Sequence, residues 1–297
     1  MARHRIALVV NPASGVGRAA RLASAVATRL GAGASVQVHE GTSPEESSAL
    51  LAAVAGACDA VVVLGGDGMV HLATQALALG DTPLGIVPAG TGNDTADVLG
   101  IPRDPMQACD AVLAALDERS VRRVDLGRTG EGTWWATVLC AGFDSAVNAT
   151  ANKLRWPRGP RRYDIAIGVE MLRLRPRMFR MRLDGELLEQ PVTLVAIGNA
   201  PQYGGAKKIT PYARMDDGLF SVAVVDAISR TTLARMAPTL DSAGHVNHPA
   251  VHFYSARTVE LSAPGTLAYA DGEFVAPLPL TTECVPAALP MLVPPAA

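Results

Sequence analysis

Over the first 116 residues, short β-branched runs alternate with Ala-rich stretches of helical length. The runs at 5–10, 34–38, 60–64 and 84–87 read as strands buried on both faces. The stretches at 18–30, 44–56, 69–78 and 105–116 predict covering helices, the second with Ser43 as N-cap and Pro44 at its first position. Such alternation predicts an α/β fold with a doubly wound, mostly parallel sheet, whose ligands sit beyond the carboxyl ends of the strands. Past about residue 121 the pattern changes. Extended runs at 133–139, 177–183, 192–196, 219–225, 258–261 and 267–270 are interrupted by helical pieces at 161–175 and 230–242, which predicts a β-rich, antiparallel second domain. The expected division is 1–125, 126–285 and a Pro- and Ala-rich tail at 286–297, either a strap packing back on the first domain or a segment without order.

Length agrees with two domains, since 297 residues exceed the size at which one core stops growing. The longest apolar runs, such as 60–64 and 192–197, fall far short of the roughly 20 residues that cross a bilayer. The N-terminus passes straight into the run at 6–10 without a cleavable leader pattern, so the expected location is cytoplasmic. Cys58, Cys109, Cys140 and Cys284 form no CxxC pair, which argues against a zinc site or a disulfide framework. A net charge of −2 gives no general attraction to nucleic acid. A homodimer is compatible with the sequence.

Three loops at the predicted carboxyl edge carry candidate chemistry. The first strand ends in Asn11-Pro12-Ala13-Ser14-Gly15-Val16-Gly17-Arg18, a small-residue turn opening a helix whose free N–H groups suit a phosphate. The third ends in Leu64-Gly65-Gly66-Asp67-Gly68, where glycines allow backbone to approach a ligand and Asp67 is placed to reach a metal or its water shell. The fourth ends in Pro88-Ala89-Gly90-Thr91-Gly92-Asn93-Asp94. Each alone also reads as an ordinary tight turn. Neither GxxxxGK[ST] nor GxGxxG occurs, so phosphates would be held in another way. Near the end, Asp271-Gly272-Glu273 reads either as two carboxylates on one face of an extended chain, one to accept a proton, or as an Asp-Gly hairpin turn.

These loops, in this order, resemble the diacylglycerol and sphingosine kinase group, with its Asn-Pro-x-Ser-Gly-x-Gly, Gly-Gly-Asp-Gly and Gly-Thr-x-Asn-Asp loops. The resemblance extends through Leu99-Gly100-Ile101-Pro102, Asp216-Asp217-Gly218-Leu219 and Asp271-Gly272-Glu273, and so over nearly the whole chain. The soluble bacterial diacylglycerol kinases are the nearest in length. The resemblance implies an NAD kinase/diacylglycerol kinase-like first domain and a lipid kinase that uses ATP with Mg2+. It implies that Asn11, Pro12, Ser14, Gly15, Thr42, Gly65, Gly66, Asp67, Gly68, Thr91, Asn93 and Asp94 hold the nucleotide. Glu273 stands where the family places its proton acceptor, with Asp271 and Asp67 completing the catalytic set. The carbonyls of Arg214 and Leu219 with the Asp217 side chain would form a structural magnesium site, an oxygen-only set that suits a hard cation. The acceptor implied is a membrane lipid alcohol, diacylglycerol first.

The chain departs from the family at Met69 and Leu72, where Thr and Glu are usual, and at Thr95-Ala96-Asp97. Met69 and Leu72 motivate an alternative, a catalytically weak nucleotide-binding regulator. An NAD kinase or a sugar kinase, which share Gly-Gly-Asp loops, is the other. His245, His248 and His252 lie close together without a zinc spacing and read as a connector. Between 153 and 182, ten basic residues stand against Asp164 and Glu170, interleaved with Trp156, Tyr163, Met171, Leu172, Met178 and Phe179. This segment reads as a peripheral contact with the inner face of a membrane or as a solvated helix and strand.

Overall fold

The computed structural model describes residues 4–154, 156 and 161–295. The chain forms two compact units: the first holds the chain up to Leu126 and takes it up again from Pro286, and the second is Gly127–Val285.

In the first unit, β1 (Arg5–Val10), β2 (Ser35–Glu40), β3 (Ala60–Gly65) and β4 (Leu84–Pro88) pair in parallel in the order β2-β1-β3-β4. Every residue of β3 and β4 is buried, as their unbroken apolar sequences require. Strand β2, expected to be buried on both faces, has no buried residue, because it ends the strand order and intersperses Ser35, Gln37 and Glu40 among its apolar positions. The C-terminal half of β15 (Leu280–Leu292) joins beside β4, with Met291 opposite Leu84. Between strands run α1 (Ser14–Gly31), α2 (Pro44–Val54), α3 (Asp67–Leu77), the short α4 (Asp94–Val98) and α5 (Pro105–Glu118). The Ser43 hydroxyl accepts the Glu46 N–H to cap α2, and Asp104 accepts two N–H groups to cap α5; both helices start on proline.

In the second unit, β5 (Val121–Thr129) enters and pairs with β6 (Trp134–Trp135). The others are β7 (Val138–Gly142), β8 (Arg177–Leu183), β9 (Glu186–Gly198), β10 (Phe220–Asp226), β11 (Val251–Ala256), β12 (Thr258–Ser262), β13 (Leu267–Ala270) and β14 (Glu273–Pro277). All their pairings are antiparallel. The long β9 is shared: its first half pairs with β8, and its second lies between β7 and β10. One core gathers Trp135, Phe179, Phe220 and Val259, with Trp135 stacked on Phe220 at 4.9 Å. Helices α6 (Phe143–Lys153), α7 (Arg161–Arg173) and α8 (Arg230–Met236) complete the unit.

The structure departs from the sequence reading where the polar-apolar signal is weak. Helix α1 begins at Ser14 rather than at 18; its opening turns hold Gly15 and Gly17 at φ +60° and +78°, so regular helical backbone follows only after them. Strand β9 starts six residues early because its first half, exposed and polar, shows no apolar run. The tail carries the strand β15, although its Pro and Ala content hides any alternation.

Candidate functional site

Loops that follow β1, β3 and β4 pack backbone against backbone. A Cβ on Gly15 would fall on the Ala89 carbonyl oxygen, and one on Gly90 would lie 2.5 Å from Gly66 Cα. The glycines read as permitting approach to a ligand are therefore first required for the loops to approach one another. The same contact explains Met69, which is buried beneath the loop; its Cγ lies 2.6 Å from where a Gly65 Cβ would stand.

Polar bonds complete the arrangement. The Asn11 carboxamide Oδ1 accepts the Ala13 N–H at 2.9 Å, and the Asn11 carbonyl accepts the Ser14 N–H at 3.0 Å, fixing the first turn. Asn93, at φ 62°, folds its amide back on its own loop: Oδ1 accepts from Gly90 N at 3.0 Å and Nδ2 donates to Gly90 O at 3.1 Å. Asp67 links the loops, its Oδ2 accepting from Asn93 N at 2.7 Å and its Oδ1 standing 3.5 Å from Thr95 N. A side chain expected to face a metal thus also caps the start of α4. Around Gly92 two carboxylates converge: a Cβ there would lie 2.6 Å from Asp67 Oδ2 and 3.5 Å from Asp94 Oδ2. Asp94 is 5% exposed, whereas Thr91 is exposed. At the neighbouring edge, the Thr42 N–H and hydroxyl both donate to Glu46 Oε2, at 2.8 and 2.6 Å, and these bonds hold the Glu46 carboxyl below its ordinary range. The structure therefore brings together the loops of Asn11, Pro12, Ser14 and Gly15, of Gly65, Gly66, Asp67 and Gly68, and of Thr91, Asn93 and Asp94.

In the second unit, Asp271 and Gly272 form the two-residue turn between β13 and β14, with φ 53° and 83°. The chain is not extended there, so the two carboxylates do not share a face. Asp271 Oδ2 accepts from Ala136 N at 2.9 Å, and its Oδ1 accepts from Thr137 N at 2.8 Å and Thr137 Oγ1 at 2.6 Å. Glu273 is exposed, and its side chain makes no hydrogen bond or ion pair among the described residues. In the 214–219 loop, Asp217 is exposed and its Oδ1 accepts from Leu219 N at 3.1 Å.

Sequence reasoning missed a polar cluster on α6 and β7. Tyr203 donates its phenol to Asp144 Oδ2, and Asn148 donates to the Asp144 carbonyl and to Cys140 Sγ. Desolvation pushes the Asp144 carboxyl up, opposed by the Tyr203 bond, and burial pushes the Cys140 thiol well above its ordinary value. Tyr269, opposite Cys140 in the β7–β13 ladder, is raised by burial and then by the charges of Cys140 and Glu273. A lone Asp144 following Phe143 gave no spacing signal. The three histidines find separate partners: His252 faces Asp226 at 2.9 Å, His248 accepts the Ala250 N–H, and His245 faces the Ile209 carbonyl. Among the described residues, no group of three or more His, Cys, Asp or Glu side chains is placed to hold a metal, and no helix is long and apolar enough to cross a membrane.

Comparison with known proteins gives the class. Residues 5–129 match the model of the diacylglycerol kinase catalytic domain, and residues 137–293 match that of the YegS C-terminal NAD kinase beta sandwich-like domain. A diacylglycerol kinase of Mycobacterium tuberculosis (strain ATCC 25618 / H37Rv) is 43% identical over 304 residues, covering 98% of this chain and 97% of its own length. One from Staphylococcus saprophyticus is 29% identical over 231 residues, 74% of this chain and 72% of the relative. A crystal structure from Bacillus anthracis str. Sterne superposes with a TM-score of 0.83 at 20% identity, covering 99% of this chain and 97% of that one. Another from the same source, named a diacylglycerol kinase, does so at 0.77 and 18% identity, covering 99% and 98%. The chain therefore belongs to the diacylglycerol kinase family of lipid kinases.

Proposed function

We propose that the chain transfers the γ-phosphoryl group of ATP to the hydroxyl of diacylglycerol, giving phosphatidic acid and ADP. The observation that carries this reading is the convergence of Asp67 and Asp94 on Gly92, inside three loops whose glycines let them close on one another at the carboxyl edge of a parallel sheet. Asn11, Pro12, Ser14, Gly15, Thr42, Gly65, Gly66, Gly68, Thr91 and Asn93 form the nucleotide cradle, supplying backbone N–H groups and hydroxyls where triphosphate charge collects. Two carboxylates beside those loops suit Mg2+, a hard cation that takes few protein ligands alongside phosphate oxygens and supplies charge neutralisation when bound. Asp67 both braces the loops and presents charge to that site.

Glu273 is the proton acceptor. It takes the proton of the acceptor hydroxyl as that oxygen bonds the γ-phosphorus and the bond to the bridging oxygen of ADP breaks. Its exposed carboxylate, free of hydrogen bonds among the described residues, supports this role, whereas Asp271 acts by fixing the turn that carries it. The Asp217 carboxylate with the Arg214 and Leu219 carbonyls fits a structural magnesium ion, because only oxygens are offered and Leu219 N orients the carboxylate. A lipid acceptor requires work at a membrane surface, and the basic segment 153–182 is the contact. The test is transfer of labelled γ-phosphate from ATP to diacylglycerol in mixed micelles with magnesium. Native protein transfers label, Glu273→Gln loses about 10²- to 10⁴-fold in rate, and Asp67→Ala loses nucleotide-dependent turnover. Activity on NAD but not on diacylglycerol would refute the acceptor, and full activity of Glu273→Gln would refute the base.

A further inference from the structure

Helix α2 opens with acids where a phosphate site needs free donors. Glu45 and Glu46 stand in its first turn, and both are exposed. Ser43 Oγ accepts Glu46 N at 3.2 Å, and Glu46 Oε2 accepts both Thr42 N at 2.8 Å and Thr42 Oγ1 at 2.6 Å. Thr42 therefore has no donor left for a phosphate oxygen. Acceptors remain: the lone pairs of Thr42 Oγ1, and Glu46 Oε1, which takes part in no hydrogen bond among the described residues. The Thr42 bonds hold the Glu46 carboxyl below its ordinary range, and Glu45 is lowered by its own N–H and then by the Ser43 hydroxyl, so this end of the helix carries negative charge.

The pair stands on the same sheet edge as the nucleotide loops. Gly41 N donates to the Val10 carbonyl at 2.9 Å, so Thr42 leaves β2 beside Asn11 leaving β1. The fully buried Ser47 of α2 packs on Gly41, where a Cβ would lie 2.3 Å from Ser47 Oγ and 2.8 Å from Ser47 Cα. Only glycine lets the helix come this close, and the contact fixes Thr42 and Glu46 at the edge. With strands about 4.8 Å apart in the order β2-β1-β3-β4, the pair lies about 14 Å from the β4 loop, where Asp67 and Asp94 converge on Gly92. Phosphate-binding chemistry thus occupies the β1, β3 and β4 loops, and the β2 end refuses anions.

We propose that Glu46 and Thr42 are the ribose subsite of the bound nucleotide, Glu46 Oε1 and Thr42 Oγ1 accepting the sugar hydroxyls while the acids of the first turn keep phosphate away. The inference rests on the nucleotide reading of the loops and moves Thr42, within that cradle, from the triphosphate to the sugar. Chemistry selects the ligand group: it must donate hydrogen bonds without bearing negative charge, which a ribose diol does and a phosphate does not. In doubly wound sheets that bind dinucleotides, an acid about 20 residues past the glycine turn accepts a ribose hydroxyl in the same way.

The test is isothermal titration calorimetry in Mg2+ with ATP, 2′-deoxy-ATP, 3′-deoxy-ATP and inorganic tripolyphosphate. Native protein is expected to bind ATP about ten- to a hundredfold more tightly than at least one deoxynucleotide, the effect of one hydrogen bond to a charged acceptor. Glu46→Ala should lose that factor for ATP and nothing for that deoxynucleotide, so that the two bind alike. Glu46→Gln, which keeps an acceptor without the charge, should retain a preference of about threefold at a near-native Tm, since the side chain is exposed. Both variants should bind tripolyphosphate at least as tightly as native protein, because a negative charge is gone. Equal native binding of ATP and both deoxynucleotides would overturn the ribose subsite. So would a loss in Glu46→Ala that is the same for all three nucleotides, the result expected if the pair instead met the adenine amine or the phosphates. A native chain that binds neither ATP nor tripolyphosphate would overturn the nucleotide reading of the loops and the inference with it, so the two failures are read apart.

Discussion

His245 is 1% exposed, and its two ring nitrogens have unequal surroundings. Nε2 faces the Ile209 carbonyl at 3.1 Å and so carries the proton, while Nδ1 is buried without a partner. Charging the ring would place a second N–H where nothing accepts it, and burial lowers its pKa from the ordinary 6.5. The unfolded chain binds this proton near pH 6.5 and the folded chain only at lower pH, so between those two values the unfolded state binds more protons. Stability is therefore lost as pH falls from 6.5 through the folded value, and is level again below it. Thermal melts between pH 7.5 and 5.5 should show a steeper loss for native protein than for His245→Gln; equal slopes would contradict this. A second residue-scale expectation concerns Gly90. A methyl group there meets Gly66 Cα at 2.5 Å, where backbone cannot swing aside, so Gly90→Ala should cost ~1–3 kcal/mol in chemical denaturation and most of the kinase activity. The three glycine-rich loops after β1, β3 and β4 were legible in the sequence because glycine is conspicuous wherever it is not needed. Their first purpose was not, since loop-to-loop contact leaves no local pattern.

At the level of elements, the β13–β14 hairpin separates two acids that sequence treats as a pair. Asp271 satisfies the N–H groups of Ala136 and Thr137, which lead into β7, whereas Glu273 opens β14 with an exposed side chain. Asp271→Ala orphans two backbone donors and should cost ~2–4 kcal/mol of stability, measured by urea unfolding, with activity falling as a consequence. Glu273→Gln should leave the unfolding midpoint in place and lower kcat. A variant pair in which Glu273→Gln destabilises and Asp271→Ala does not would reverse the two roles. The hairpin alternative was readable from Asp-Gly alone, but the target of the Asp271 carboxylate was not, because it lies 134 and 135 residues away in sequence. The same reasoning accounts for the elements that were legible. Strands β3 and β4 are apolar throughout and were found almost to the residue, while β9 and β15 begin in polar or Pro- and Ala-rich sequence and took their extent from pairing partners.

At the scale of the whole molecule, the C-terminal strand decides whether the first unit is complete. Residues after Pro286 return to that unit, where the Ala287 N–H donates to Asp125 at 2.8 Å, the Ala288 carbonyl accepts from Leu79 N at 2.7 Å, and the Val293 N–H donates to the Ser120 carbonyl at 3.2 Å. Leu289, Met291 and Leu292 are 1%, 1% and 2% exposed. Burying each contributes about 1.5–3 kcal/mol, so their sum is comparable with the whole stability of about 5–15 kcal/mol expected of a domain. Without them the β4 edge would also stand open, with unpaired backbone and an apolar face offered to other chains. Ending the chain after Val285 should therefore abolish cooperative unfolding of the first unit and yield aggregating protein, whereas ending it after Val293 should leave the melting profile near native. Differential scanning calorimetry of the two truncations decides the matter. A cooperative transition retained in the shorter chain would mean that α1–α5 and β1–β4 suffice by themselves, and that the strand only ties the chain end down.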